Sequence, residues 1–280
     1  MSELVYVDGA FHEPHTPVVT ALDHGLTVGD GVFETCQMRS DGVFALTRHL
    51  QRLARSAAGL GLAVPDEQSL RQAVTAVHQR WVAQGGGRGR LRITWTAGHG
   101  PLGPTRAAGA ERLLVSAGPV GAAGPLRVTV APWIRNERSP LVGLKTTSYA
   151  ENVVIANYAK GRGATEAILG NSAGQLCEGT ASNVFVEHDG SLVTPPLASG
   201  CLAGVTRELV LEWGQQAGLP VAERALPLSV LQGVAHAALT ASTRGIAAIT
   251  SIDERPLQPG PLTQALSREY QRRSAAELDP

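Results

Sequence analysis

Gly143-Leu144-Lys145-Thr146-Thr147 stands at the end of an extended run and directly before a helical pattern, a placement that suits a buried amine facing a cleft. The lysine stands out because the chain has almost none: of 24 Lys and Arg residues, only Lys145 and Lys160 are lysines. Arginine replaces lysine wherever a solvated positive charge suffices. It does not replace an amine that must lose its proton and attack a carbonyl. Lys145 is therefore a candidate for chemistry, whereas Lys160, among polar residues in Ala159-Lys160-Gly161-Arg162-Gly163, reads as surface.

Working outward, Glu178 follows in Leu176-Cys177-Glu178-Gly179-Thr180-Ala181-Ser182-Asn183-Val184-Phe185, a carboxylate ringed by small polar residues at the mouth of a strand. Gly204-Val205-Thr206-Arg207 then opens a helix, and a helix N-terminus with a hydroxyl and free N–H groups binds phosphate. With Arg52 on an early helix, the parts of a pyridoxal phosphate site are present: an amine, a carboxylate for the pyridine nitrogen and donors for the phosphate.

These segments, together with Tyr6-Val7-Asp8-Gly9, Gly29-Asp30-Gly31-Val32-Phe33-Glu34-Thr35, His49-Leu50-Gln51-Arg52-Leu53 and Leu239-Thr240-Ala241-Ser242-Thr243, resemble the class IV, fold type IV, pyridoxal phosphate enzymes over nearly the whole chain. That family includes D-amino acid transaminases, branched-chain aminotransferases and 4-amino-4-deoxychorismate lyases. The resemblance implies that Lys145 is the Schiff-base lysine and proton shuttle, and that Glu178 pairs with the ring nitrogen. It assigns Arg52, Val205, Thr206 and Ser242 to the phosphate. It also implies a two-domain α/β fold with mixed sheets, the cofactor between the domains, and a homodimer. The expected division is a smaller N-terminal domain over 1–117, a linker over 118–125 rich in Gly, Ala and Pro, and a larger C-terminal domain over 126–280 carrying Lys145.

The substrate side departs from familiar patterns. D-amino acid transaminases hold the α-carboxylate with a tyrosine, an arginine and a histidine, and the aligned positions here are Phe33, Leu102 and Pro104, none with a donor. Thr35 resembles the lyases, but the loop from Gly98 to Arg106 lacks their Arg-Gly-Tyr ending. Arg92 lies near where branched-chain enzymes carry a substrate-side arginine, and Arg135, Arg138 and Thr243-Arg244 are further candidates for substrate contact. The expected reaction is transfer of the amino group of a D-amino acid, with (R)-amines as a further donor class, to a 2-oxo acid. Aminodeoxychorismate lyase is the alternative.

The rest of the chain is read by period and punctuation. Leu4–Val7 with Asp8-Gly9 opens a hairpin; helices are expected from Thr47 to Leu60 with Thr47 as cap, from Asp66 to Gln84, from Ala150 to Lys160, from Thr206 to Ala217 and from Leu262 onward. Strands are expected at 91–97, 113–117, 126–131, 166–169, 184–186, 192–194, 221–225, 237–241 and 247–252. Hairpins outnumber crossovers, which favours mixed or antiparallel sheets. At 280 residues with 43% hydrophobic positions the chain can bury large cores, and 24 basic against 24 acidic residues give no nucleic-acid or anionic-membrane footprint. Cys36, Cys177 and Cys201 form neither a disulfide framework nor a metal knuckle, so no metal is expected. The N-terminus lacks a signal-peptide pattern and no apolar run is long enough to span a membrane, so a cytoplasmic location is expected.

Three literal motifs fail their context. Gly98-His99-Gly100-Pro101-Leu102-Gly103 is a GxGxxG, but Pro104 follows where a helix must open. Gly170-Asn171-Ser172-Ala173-Gly174 is a GxSxG set between two extended segments, a hairpin turn rather than a nucleophile elbow, which leaves a serine hydrolase as a remote alternative. His12-Glu13-Pro14-His15 carries proline where a metal-binding helix needs regular backbone.

Overall fold

Positive φ at Asp8 (44°) and Gly9 (98°) turns the chain back on itself between β1 (Leu4–Val7) and β2 (Ala10–His12), as the Asp-Gly pair predicts. The computed structural model describes residues 3–122 and 124–280; Met1 and Ser2, and Ala123 inside the expected linker, lie outside the described residues. The chain divides into two units, Met1–Gly121 with Leu144–Tyr149 and Glu277–Pro280, and Ala122–Gly143 with Ala150–Ala276.

In the first unit, α1 (His24–Thr27), β3 (Gly31–Arg39), β4 (Gly42–Val43), α2 (Leu46–Leu60), α3 (Glu67–Ala83), β5 (Gly89–Thr96) and β6 (Arg112–Pro119) follow the hairpin. The six strands form one sheet in the order β2-β1-β6-β5-β3-β4, antiparallel at every pairing. Helices α2 and α3 bury Leu50, Leu53 and Ala57, and Leu70, Ala73, Val74, Val77 and Trp81, the apolar stripes that helical spacing marks. Against them pack alternate strand residues, Val32, Cys36 and Met38 from β3 and Leu91 and Ile93 from β5. Truncating a fully buried member such as Leu53 to alanine costs about 2–5 kcal/mol. Because strand side chains alternate, Phe33 and Thr35 point to the opposite face.

The segment carrying Lys145 packs with this first unit rather than with the expected C-terminal domain. Its backbone runs beside β3: the Phe33 N–H donates to the Lys145 carbonyl (2.9 Å), the Thr147 N–H to the Gly31 carbonyl (2.8 Å), and Val32 bridges Thr146. Those pairings satisfy the strand's edge, which is why the segment belongs there.

The second unit comprises β7 (Arg127–Arg135), α4 (Ala150–Gly161), β8 (Glu166–Asn171), β9 (Leu176–Gly179), β10 (Asn183–His188), β11 (Ser191–Thr194), α5 (Val205–Gln216), β12 (Val221–Glu223), β13 (Ala237–Ala241), β14 (Gly245–Ala248), β15 (Ser251–Ile252), β16 (Arg255–Pro256) and α6 (Pro261–Ala276). Its two five-stranded sheets run β12-β11-β10-β13-β14 and β16-β15-β7-β8-β9. Both are mixed, with parallel pairings of β11 to β12, β7 to β8 and β7 to β15. The single strand expected over 247–252 is two: β14 pairs with β13 in one sheet, and β15 crosses to β7 in the other. Among the described residues no helix is long and apolar enough to cross a membrane.

Candidate active site

Lys145 is half-buried, and its Nζ lies 4.4 Å from the centre of the Phe33 ring. The Arg92 guanidinium carbon lies 3.7 Å from the same ring centre, and Tyr149 meets the ring edge-on at 5.3 Å. Thr35 stands directly across from Arg92 in the β3–β5 register, on the same sheet face. Four predicted residues, Phe33, Thr35, Arg92 and Lys145, thus share one patch. Phe33 is the platform on which two cations converge. Arg92 donates to the Thr94 hydroxyl (3.1 Å), and among the described residues no carboxylate pairs with it. Burial pushes its pKa below the usual guanidinium value, with Tyr149 opposing. A cation with an apolar underside and no counter-charge favours an incoming carboxylate.

Arg52 sits on the helix-covered side of the sheet. Its Nε and one Nη reach the two oxygens of Glu34, each at 2.7 Å, and His49 Nδ1 meets the same carboxylate at 2.7 Å. All three side chains are buried. Burial by itself would raise the Glu34 pKa; the Arg52 charge and hydrogen bonds, with His49, reverse this and hold the carboxyl well below the usual range. For His49 burial wins over the attraction of Glu34, with Arg52 and Lys145 adding to it, so its pKa falls and the ring stays neutral, donating Nδ1–H. A phosphate contact by Arg52 must therefore use the edge of the guanidinium that Glu34 does not occupy. The sequence motif carried both Glu34 and His49, but only their burial reveals the network.

In the second unit both oxygens of Glu178 are engaged: Arg135 Nε donates to Oε1 (3.0 Å) and the Leu202 N–H to Oε2 (2.9 Å). Arg135 also faces Glu151 at 3.3 Å. Arg135, a substrate-contact candidate from the sequence, is paired with two protein carboxylates. The flanking Cys177 and Cys201 are buried, and burial pushes both thiols up, which makes them inert.

Helix α5 begins at Gly204, which caps it without any side-chain hydrogen bond, and its first residues Val205 and Thr206 are buried. A buried helix start with no side-chain cap calls for a partner from outside the helix. Only glycine fits at 204, since a Cβ there would fall 1.9 Å from Asn183 Oδ1. Asn183 is paired with Thr240 across β10 and β13, so both side chains lie on one sheet face. The Thr240 hydroxyl is buried with no hydrogen-bond partner. Uncapped amides and an orphaned hydroxyl are the donor set that a phosphate satisfies, so these residues fit a phosphorylated cofactor. Thr240 belongs to the Leu239–Thr243 segment, and its unpartnered hydroxyl is visible only in the folded chain. Ser242, Thr243 and Arg244 form the turn between β13 and β14, and Arg244 bonds Glu166 (3.3 Å). Arg138 is exposed, with its N–H held by Asn136.

The glycine-rich segment lies in a loop, and the Gly-x-Ser-x-Gly segment runs from the end of β8 into a turn. Gly98-His99-Gly100 packs against His24 of α1, whose N–H donates to the Gly98 carbonyl (2.8 Å), and the chain continues into β6 without a helix. Ser172 is exposed at the β8–β9 turn with its N–H and hydroxyl both on Glu137, so a carboxylate, not a histidine, is its partner. Among the described residues no His, Cys, Asp or Glu cluster could hold a metal ion. Lys160 is exposed in the last turn of α4.

Residues 31–252 match the class IV amino-transferase family, and the chain belongs to that family. It is 31% identical, over 94% of its length and 96% of the relative's, to a bifunctional aminodeoxychorismate lyase / D-amino acid transaminase of Mycobacterium tuberculosis. The PLP-bound structure of a hypothetical aminotransferase from M. tuberculosis superimposes with a TM-score of 0.86 at 29% identity, covering 96% of this chain and 97% of that one. A fold IV transaminase from Curtobacterium pusillum gives 0.85 at 29% identity over 97% and 98%. The two-domain mixed α/β architecture is thus that of the fold type IV aminotransferases.

Proposed function

We propose that this chain is a PLP-dependent transaminase that takes the amino group of a D-amino acid, with (R)-amines as a second donor class, and passes it to a 2-oxo acid, working as a homodimer. Pyridoxal 5'-phosphate is the cofactor, and it supplies the electron sink for the carbanion at the substrate's α-carbon. Lys145 is the amine that carries the cofactor and moves the proton at that carbon. Glu178, fixed by Arg135 and the Leu202 N–H, holds a proton on the ring nitrogen. The α5 start at Val205 and Thr206, with Ser242, Thr240 and Arg52, binds the phosphate.

The observation that carries the substrate assignment is Arg92. Among Arg92, Arg135, Arg138 and Arg244, Arg135 and Arg244 are paired with carboxylates and Arg138 is exposed, whereas Arg92 lies against Phe33 beside Lys145 with no acidic partner among the described residues. It is the cation suited to a substrate carboxylate. Phe33 offers no hydroxyl to help, so the grip is looser and amines lacking a carboxylate are tolerated.

The lyase reading is supported by Thr35, across from Arg92, and by the bifunctional name of the M. tuberculosis relative. Mixing the holoenzyme with D-alanine separates the two. A transaminase converts the aldehyde form of its cofactor to the amine form, followed by absorbance, whereas a strict lyase does so slowly or not at all. An enzyme inert to D-alanine and (R)-amines that releases pyruvate from aminodeoxychorismate is the lyase.

A further inference from the structure

Helix α2, which presents His49 and Arg52 to Glu34, starts poorly by its own means. The residue preceding it, Ala45, has left-handed φ (53°) and offers no side-chain cap, and Thr47, expected from sequence to be the cap, lies inside the helix. What occupies the helix start is the segment Glu277–Pro280, which belongs to the same unit. The Asp279 carboxylate accepts from the Thr47 N–H (2.8 Å) and the Thr47 hydroxyl (2.5 Å). Beside it the Ala45 N–H donates to the Leu278 carbonyl (2.8 Å), and Arg48 Nε donates to a Pro280 oxygen (2.8 Å). The Leu278 side chain fills the space above Gly42, where a Cβ would fall 2.4 Å from it. Arg71 of α3 donates to the Thr47 hydroxyl (2.8 Å), so the cap also ties the two helices.

We propose that Asp279 is a positioning residue for the cofactor: a cap supplied from 232 residues away that fixes the first turns of α2 and through them the placement of His49 and Arg52. An acidic group at a helix N-terminus complements both the unsatisfied N–H groups and the helix dipole. His49 begins the next turn, its N–H on the Ala45 carbonyl (3.2 Å), and Arg52 follows one turn later on the same buried stripe. Freedom at residues 45–48 therefore passes directly to the guanidinium. The inference rests on the reading that Arg52 contacts the cofactor phosphate.

The test compares Asp279→Ala, Asp279→Asn and Arg52→Ala for pyridoxal phosphate dissociation constant, measured by absorbance on the apo-protein, and for amide hydrogen exchange over residues 46–52. Asp279→Ala should raise the dissociation constant measurably, by up to about tenfold, the ceiling reached if the whole cost of a lost cap is felt at the phosphate contact, and speed exchange in the first turn. Asp279→Asn keeps the acceptor and should restore most of both. If Asp279→Ala speeds exchange while its cofactor affinity stays at the wild-type level, and Arg52→Ala weakens binding, the cap is structural only and the proposal falls while the phosphate reading stands. If Arg52→Ala binds the cofactor normally, both fall. Unchanged exchange and affinity in Asp279→Ala likewise overturn the proposal.

Discussion

Arg135 Nε lies 3.0 Å from Glu178 Oε1, and the Leu202 N–H holds the other oxygen, so the carboxylate assigned to the cofactor's ring nitrogen is fixed from both sides by the protein. Both side chains of the ion pair are largely shielded from water. Removing the arginine leaves a buried carboxylate without its counter-charge. Arg135→Leu should therefore lower kcat about ten- to a hundredfold, the scale of a lost charge-assisted bond of about 1.5–3 kcal/mol, with D-alanine and (R)-amines affected equally. A loss confined to D-alanine would return Arg135 to the substrate.

Lys145→Ala should abolish turnover and the visible absorbance of the bound cofactor, because no other side chain on that patch is an amine. Lys160→Ala, altering an exposed residue of α4, should match the wild type. Glu178→Gln should retain cofactor yet react far more slowly, since a neutral amide does not keep the ring nitrogen protonated.

For Arg92 the expected outcome is selective. Arg92→Ala should lose about ten- to a hundredfold in kcat/KM with D-alanine, corresponding to about 1.5–3 kcal/mol, and far less with an (R)-amine. Phe33→Tyr, adding a hydroxyl to the aromatic platform, should sharpen the preference for the carboxylate. Steady-state kinetics on both donors check this, and equal losses on both would exclude Arg92 from carboxylate binding.

Thr240→Val tests the orphaned hydroxyl by opposing signs. Removing a buried hydroxyl that has no partner should leave the apo-protein as stable or stabilise it by about 1–2 kcal/mol. The same change should weaken cofactor binding. Thermal melts of the apo-protein and cofactor titration measure the two effects independently.

The Glu34–His49–Arg52 network gives the fold an acid limb. Glu34 has a depressed pKa when folded, so its contribution is complete above the ordinary glutamate value and is lost as pH falls below it. His49 is also depressed: below its ordinary value near 6.5 the unfolded chain binds a proton that the folded chain excludes, so stability falls as pH drops through that region. His49→Gln should flatten the first part of the acid limb, and Glu34→Gln should destabilise the protein at pH 7 by about 3–5 kcal/mol by leaving Arg52 buried without its partner. Denaturant unfolding from pH 7 to pH 4 reads both.

The sequence by itself determined the elements whose signals are local. The stripe from Leu70 to Trp81 sets α3 because it repeats at helical period, and Asp8-Gly9 sets a hairpin because those residues tolerate positive φ. The scarcity of lysine singled out Lys145 because the chemistry of an amine is not that of a guanidinium. What only the tertiary structure decided is everything that depends on partners distant in the chain. β3, the longest strand of the first sheet along with its register on β5, sets Phe33 and Arg92 on the patch with Lys145 while turning Glu34 to the opposite face. The partner of Arg135 is Glu178, 43 residues on, a pairing that no local pattern carries. Thr47 looked like a cap, yet Asp279 is the group that occupies the helix start. Composition and period report what a residue can do, but charge pairing and capping are settled by which group arrives within hydrogen-bond distance, and that follows from the packing of the whole unit.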